Sequence, residues 1–320
     1  MHMLSKRRVI LCVLAGLAVV LGTRLHPPAH RSVAATAARL LPARARVAVL
    51  TVLGDSACGW GDSVSAVERR NAKNRIIERL TRSSRLIERD PAGFELWSTE
   101  HGPFWVISNS NMERFYHMLA EQETGQYHSP PSAIRPGDVV LDCGANYGIF
   151  TSEALSRGAS MVVAIEPVPQ NVVCLQRRFA SEIHQGRVVI VSKGVWDRED
   201  HLSLELDPAS SWGAHVVPRS GVAQSIQLTV PLTTIDKLVA GMGLRRVDFI
   251  KMDIEGAEQR ALAGARTTLD RFRPRMAICV YHRPDDLRMV PTLVPSVYQR
   301  HYGQCADNLT SITREVIHFY

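Results

Sequence analysis

Cysteine pairs at metal-binding spacing are missing from this chain. Its six cysteines (Cys12, Cys58, Cys143, Cys174, Cys279, Cys305) stand far apart. There is no C-x-x-C pair and no His/Cys ligand pattern, so neither a zinc site nor a disulfide framework is signalled, and no metal is assigned. Cys143 and Cys279 lie inside apolar runs, where a free thiol behaves as a small hydrophobe. Reducing surroundings are the matching expectation. Acidic residues are absent from the first 50 positions, which hold eight basic ones, and the rest of the chain carries 30 basic against 31 acidic groups. The net charge of +7 is therefore a property of the tail. The body lacks the basic face of a nucleic-acid binder, and no nucleic acid is expected as a partner.

A long apolar run is also absent. The longest, Val9–Gly22, follows Lys6, Arg7 and Arg8 and has 14 residues. That is short for a membrane span and suits a signal-like segment, although snorkelling of Arg8 and Arg24 stretches its reach. Residues 1–25 are read as a hydrophobic anchor or signal-like segment that attaches the chain to a membrane. Residues 26–60, rich in Arg, Ala and Pro, are read as a tether. Basic residues flank the run on both sides, so charge does not set an orientation.

What is present begins with a charged, helix-compatible stretch from Val64 to Leu86. "GFELWSTEHGPFWVIS" (93–108) then reads as a hairpin, and "NMERFYHMLAEQETGQY" reads as a helix. Residues 61–135 thus form a small helical and hairpin extension, closed by the Pro- and Gly-punctuated "SPPSAIRPGD". From residue 136 to 320 strands and helices alternate. Strands are expected near 139–142, 161–165, 187–192, 226–230, 247–252 and 276–281, and helices near 147–157, 169–184, 233–241 and 257–271. Apolar β-branched runs separated by helices predict an α/β domain: a mostly parallel sheet with helices on both faces. A hairpin of "DHLSLELD" with "SIQLTVPL" is expected to interrupt the alternation.

In such sheets ligands bind beyond the carboxyl ends of the strands. Asp142, Glu166, Asp253 and His282 all fall at expected strand ends. The first loop, "LDCGANYG", is not G-x-G-x-x-G. An acidic Asp142 stands where a diphosphate would require amide donors, which disfavours a dinucleotide and favours a cationic ligand such as S-adenosylmethionine. Glu166, 24 residues after Asp142, suits the hydroxyls of a ribose. "VDFIKMDIEGAE" delivers Asp253 and Glu255 to the same edge. Such carboxylates can orient an acceptor hydroxyl, take up its proton or bind a divalent cation. Glu255 and Glu258 equally suit the start of a helix. His282, ending "AICVYH", is a candidate general base facing these carboxylates. No [DNS]-P-P-[YFW] stretch and no Pro-Cys nucleophile points to base methylation.

Together "LDCGANYGIFTSEAL", "AIEPVPQN", "VPLTTIDKL" and "VDFIKMDIEGAEQRALAGARTTL" resemble the FkbM family of S-adenosylmethionine-dependent methyltransferases. The resemblance implies a class I methyltransferase (Rossmann-like) fold, with seven strands of which one near the C-terminus is reversed. It places Asp142, Gly144, Asn146 and Gly148 along the methionine part of the cofactor and Glu166 on the ribose. Trp196 and Asp197, in "GVWD", would lie along the adenine. It implies O-methylation of a small-molecule or glycan hydroxyl acceptor. Because the methyl donor is made in the cytosol, the catalytic domain is expected to face it. A dinucleotide-dependent oxidoreductase and a non-catalytic, membrane-tethered binding module are the competing readings.

Overall fold

The computed structural model describes residues 38–130, 132–207, 210–215, 226–298 and 301–320. The expected anchor, residues 1–25 with the apolar run 9–22, lies outside the described residues. Among the described residues no helix is long and apolar enough to cross a membrane. The chain divides into two compact units. The described part of the first comprises residues 38–74 and 303–315, and that of the second residues 75–130, 132–207, 210–215, 226–298, 301–302 and 316–320.

In the first unit, helix α1 (Ala43–Leu53) occupies part of the segment expected to be a tether. Its Val47 and Leu50 are fully buried with Ala66, Val67, Cys305 and Ile312. The burial of an apolar face explains why a stretch rich in Arg and Ala is ordered here. Arg46 donates to the Asp307 carboxylate at 2.6 Å with both side chains buried. Helix α2 (Trp60–Ser83) supplies Arg69 and Arg70, which donate to the carbonyls of Cys305 and Asp307. Cys58 and Cys305 form a disulfide across 247 residues. No spacing pattern announces a pair so far apart. Disulfides persist in oxidising surroundings, so the expectation of reducing conditions loses its basis at this pair. Cys143, Cys174 and Cys279 are free and buried.

The second unit opens with an antiparallel meander, β1 (Arg85–Asp90), β2 (Phe94–Thr99) and β3 (Gly102–Ile107). The expected hairpin is the β2–β3 pair, which runs in register from Phe94↔Ile107 to Thr99↔Gly102. β1 starts where the sequence suggested continued helix, because "RLIERD" carries no apolar face. It is held instead by backbone pairing to β2. Helix α3 (Met112–Glu123) is capped by the Asn111 side chain, which accepts from the Arg114 amide.

The central sheet has seven strands in the order β13-β14-β12-β11-β4-β5-β6. They are β4 (Val139–Cys143), β5 (Met161–Ile165), β6 (Val188–Val191), β11 (Phe249–Met252), β12 (Arg275–Cys279), β13 (His301–Asp307) and β14 (Ile312–Phe319). The five from β6 to β12 are parallel, and β14 runs antiparallel to β12, so the sheet is mixed. Its connections include α4 (Ile149–Ser156), α5 (Pro169–Arg178), α6 (Ala180–His184), α7 (Ile235–Gly241), α8 (Glu258–Ala263), α9 (Arg266–Phe272) and α10 (Asp286–Leu293). Both faces are covered. Leu141, Cys143, Ile250 and Met252 pack in one core, and Val140, Phe249, Ala277 and Cys279 in another.

The strand expected at 226–230 does not join this sheet. It is β10 (Ile226–Thr233), part of a separate four-stranded sheet ordered β7-β10-β8-β9 with β7 (Gly194–Val195), β8 (His201–Asp207) and β9 (Ser210–His215). β8 and β10 pair antiparallel, the hairpin partners read from the sequence.

Closing a loop of this length by a disulfide constrains the unfolded chain. Replacing Cys58 and Cys305 by Ser should lower the unfolding free energy by roughly 2–5 kcal/mol. Urea midpoints of the variant and of the oxidised wild type measure this. Equal midpoints, with two extra titratable thiols already present in the wild type, would show that the pair does not form.

Candidate functional site

The parallel register of β4 and β11 sets Lys251 directly beside Asp142. Strand alternation sends both side chains to the face that also holds Val140 and Phe249. Both are buried, and the Lys251 ammonium lies 3.3 Å from Asp142 Oδ1. Asp142 Oδ2 accepts from Thr151 Oγ1 at 2.7 Å. Lys251 Nζ also donates to the carbonyls of Gly144 (2.7 Å) and Cys143 (3.3 Å), and lies 5.6 Å from the Tyr127 ring centre. Burial works against its charge, but Asp142 and Asp253 outweigh that and raise Lys251 to about 12. A permanent ammonium thus pins the start of the first loop from below. The sequence offered Asp142 as a bare negative charge for a cationic ligand. The structure gives that charge to Lys251, so the preference for a cation no longer follows from this residue alone.

The loop itself turns on left-handed residues: Gly144 (φ 82°), Asn146 (φ 51°) and Gly148 (φ 81°). A Cβ on Gly144 would sit 2.0 Å from the Asp253 carbonyl oxygen, and one on Gly148 would sit 2.3 Å from the Phe179 ring. Glycine is therefore required at both for close approach as well as for φ. Asn146 is among the few side chains that tolerate this region, and its Oδ1 accepts from the Tyr147 amide at 2.8 Å.

Glu166 follows β5 and is 4% exposed. Its Oε2 accepts from the Asn146 amide (2.9 Å), and its Oε1 accepts from the Val168 amide (3.0 Å) and Asn171 Nδ2 (3.2 Å). Burial raises its pKa, against the lowering effect of those three donors. A carboxylate offers about four lone-pair positions. Three are engaged, so one is open to a ribose hydroxyl, and a second opens if the long Asn171 contact lets go. Among the described residues Asn171 Oδ1 is buried without a hydrogen-bond partner, and Asp142 Oδ1 has only its charge contact with Lys251. Unsatisfied polar atoms beside a glycine cradle fit a ligand that brings hydroxyl and ammonium donors, such as S-adenosylmethionine.

The second edge lies beyond β11 and β12. Asp253 Oδ2 accepts from the Tyr127 hydroxyl (2.9 Å), and Oδ1 accepts from the Tyr281 hydroxyl (3.1 Å). His282 Nε2 is 3.5 Å from Asp253 Oδ1 and 3.7 Å from Glu255 Oε2. Its Nδ1 is 2.9 Å from Glu258 Oε1. Burial opposes the imidazolium, but the Glu258 hydrogen bond and the charges of Glu258, Asp253 and Glu255 raise His282 to about 9. Burial also pushes the Asp253 carboxyl up, yet Lys251, His282 and the Tyr127 hydroxyl leave it below its usual value. Asp253, Glu255 and His282 are thus brought together, with Glu255 in the left-handed region at φ 55°. Glu258 is fully buried, and its oxygens also accept from the Ile254 and Gly256 amides, as the helix-start reading expects.

The model of the methyltransferase FkbM domain matches residues 142–303, a span that includes the loop, Glu166, Asp253 and His282. The chain belongs to the FkbM methyltransferase family. This makes it a methyltransferase-domain protein that uses S-adenosylmethionine as cofactor. The FkbM methyltransferase structure from Methylobacillus flagellatus KT is similar at 19% identity and TM-score 0.44, over 85% of this chain and 65% of that one. The present chain thus spans less than two thirds of that protein. A putative methyltransferase from Streptococcus mutans, SMU.1697c, solved with S-adenosylhomocysteine, is similar at 13% identity and TM-score 0.34, over 58% of this chain and 91% of that one. Trm5b from Pyrococcus abyssi is similar at 10% identity and TM-score 0.39, over 73% and 57%. No curated protein matches the chain significantly.

Within the FkbM domain, Trp196 and Asp197 follow β7. The Trp196 amide donates to the Thr233 carbonyl. The Arg260 guanidinium lies 5.8 Å from the Trp196 ring and donates to Asp197 Oδ2 at 2.7 Å. Their polar contacts run toward α8 and β10. The residues to which the sequence reading gave no role are Tyr127, Thr151 and Asn171, although Thr151 lies within "LDCGANYGIFTSEAL" and Asn171 ends "AIEPVPQN". Lys251 opens the "KMDIEGAE" stretch that carries the family resemblance, but its pairing with Asp142 was not read from the sequence.

Removing one partner of a buried ion pair strands the other charge. Lys251→Met should cost about 3–5 kcal/mol and weaken S-adenosylmethionine binding, while Lys251→Met with Asp142→Asn should recover much of the stability. Urea unfolding and calorimetry check both. Equal stability of the single and double variants would show that the pair does not organise the loop.

Proposed function

We propose that the domain transfers a methyl group to a hydroxyl oxygen of a small-molecule or glycan acceptor lying over β11 and β12. The observation that supports this most is the shared backbone contact at Gly144. The loop on the cofactor side has no room for a Cβ because the Asp253 carbonyl occupies it. The carboxylate offered to an acceptor and the loop offered to the methyl donor are thus fixed to one another with little slack. In-line transfer depends on such alignment.

When bound, S-adenosylmethionine supplies a methyl group already activated by a positive sulfur. The residues of the chain do the rest. Glu166 receives ribose hydroxyls, and Gly144, Asn146 and Gly148 let the backbone approach the ligand. Asp253 keeps lone pairs beyond those engaged by Tyr127 and Tyr281. One of them would accept the hydrogen bond of the acceptor hydroxyl and take up its proton as that oxygen receives the methyl group. His282, held between three carboxylates, keeps the edge polar and ordered and does not itself present a free base in this geometry. The apolar run 9–22 is proposed to seat the protein at a membrane.

Methyltransferase-family membership removes the support for an oxidoreductase. A binding module without catalysis would have no need of a tyrosine-clamped Asp253. Asp253→Asn should leave S-adenosylmethionine affinity within about twofold and lower turnover about a hundredfold or more. Turnover is read as S-adenosylhomocysteine formed with a panel of sugars and polyols that serve the wild type. Undiminished turnover in Asp253→Asn would clear Asp253 of a part in the reaction.

A further inference from the structure

His282 presents a buried nitrogen that makes charge contacts but no hydrogen bond. Its side chain is 7% exposed, and among the described residues its Nε2 has no hydrogen-bond partner. An unsatisfied buried nitrogen is costly unless it meets water, a ligand or an ion. This one faces two carboxylate oxygens, Asp253 Oδ1 at 3.5 Å and Glu255 Oε2 at 3.7 Å. We propose that Asp253 Oδ1, Glu255 Oε2 and His282 Nε2 are the protein ligands of a divalent first-row cation at the acceptor edge.

Three further observations support the site. A cation about 2.1 Å from each ligand places neighbouring ligands about 3.0–3.4 Å apart, and His282 Nε2 stands a few tenths of an ångström beyond that from Asp253 Oδ1 (3.5 Å) and Glu255 Oε2 (3.7 Å). A ligating histidine commonly gives its other ring nitrogen to a carboxylate, which fixes the ring and the tautomer. Here Glu258 stands 2.9 Å from Nδ1. Glu258 is itself not a ligand, because its two oxygens also serve the Ile254 and Gly256 amides. Glu255 is held at φ 55°, a conformation that costs a non-glycine residue energy and is retained where the surroundings demand it.

Charge points the same way. Asp253, Glu255 and Glu258 stand around a single imidazole, and the hydrogen bonds of Lys251, whose charge also acts on Asp253, go to the Cys143 and Gly144 carbonyls. A divalent cation is attracted by such a group of carboxylates. One nitrogen among the ligands favours manganese, iron or zinc over magnesium and calcium, which prefer oxygen alone. The site stands on its own geometry, but its role rests on the methyl-transfer reading above. An ion there would hold the acceptor oxygen and lower the pKa of its hydroxyl. With three protein ligands it keeps open positions, which suits an acceptor with two adjacent oxygens, such as a vicinal diol.

The test is a titration of the chelator-stripped full chain with Mn2+ alone, followed by electron paramagnetic resonance. No methyl donor or acceptor is present, so the result does not depend on the methyl-transfer reading. The wild type is expected to bind one Mn2+ with micromolar affinity and to show spin-echo modulation from an imidazole nitrogen. His282→Gln should abolish the nitrogen signal, and His282→Gln and Glu255→Gln should each weaken binding at least about tenfold. Asp200→Asn, far along the chain on an exposed segment, should bind as the wild type does. Glu255 is the safer variant for folding, since its side chain is only partly buried. Far-UV circular dichroism verifies both. No binding up to millimolar Mn2+, binding without nitrogen coupling, or folded Glu255→Gln binding as tightly as the wild type would each overturn the site.

Discussion

The site depends first on the ion pair of Lys251 with Asp142. It lies on an otherwise apolar face of the central sheet, set by the parallel register of β11 on β4. Two opposite charges buried side by side add little net stability, because each gives up its hydration. Their value here is positional. The ammonium also reaches the carbonyls of Cys143 and Gly144, where the first loop leaves the sheet. One side chain on β11 therefore fixes the loop that follows β4.

From that point two edges are built a few residues apart. On the β4–β5 side, the Asn146 amide closes onto Glu166, which ties the loop to the end of the second parallel strand. On the β11–β12 side, Tyr127 and Tyr281 hold the Asp253 carboxylate from two directions, and Glu258 turns His282 toward it. Gly144 and the Asp253 carbonyl are the point of contact between the edges. Methyl transfer is demanding in geometry and undemanding in acid–base power, because the leaving sulfur is positive. A rigid join between donor loop and acceptor edge answers the first demand.

Much of this was legible in the sequence, for physical reasons. Strands such as 139–143, 161–165 and 249–252 are apolar runs, broken only at Asp142 and Lys251, because both faces of the sheet are covered, and their ends showed Asp142, Glu166 and Asp253. Other features were hidden because their causes lie far away in sequence. Asp142 reads as a free carboxylate until its partner, 109 positions later, is in place. β1 carries a charged sequence and exists through pairing with β2. α1 looks like tether composition, and its order comes from packing with Val67 and Ile312. The Cys58–Cys305 bond joins residues with no common pattern. Tyr127 precedes a Pro-rich turn and gives no local sign that its hydroxyl meets Asp253.

The most direct test of the account is a calorimetric titration of the full chain with S-adenosylmethionine, S-adenosylhomocysteine and NAD. The geometry of the loop and of Glu166 predicts micromolar binding of both sulfur ligands and none of NAD. Binding of NAD alone would contradict it, and would mean that the pocket over β4 and β5 serves a different chemistry.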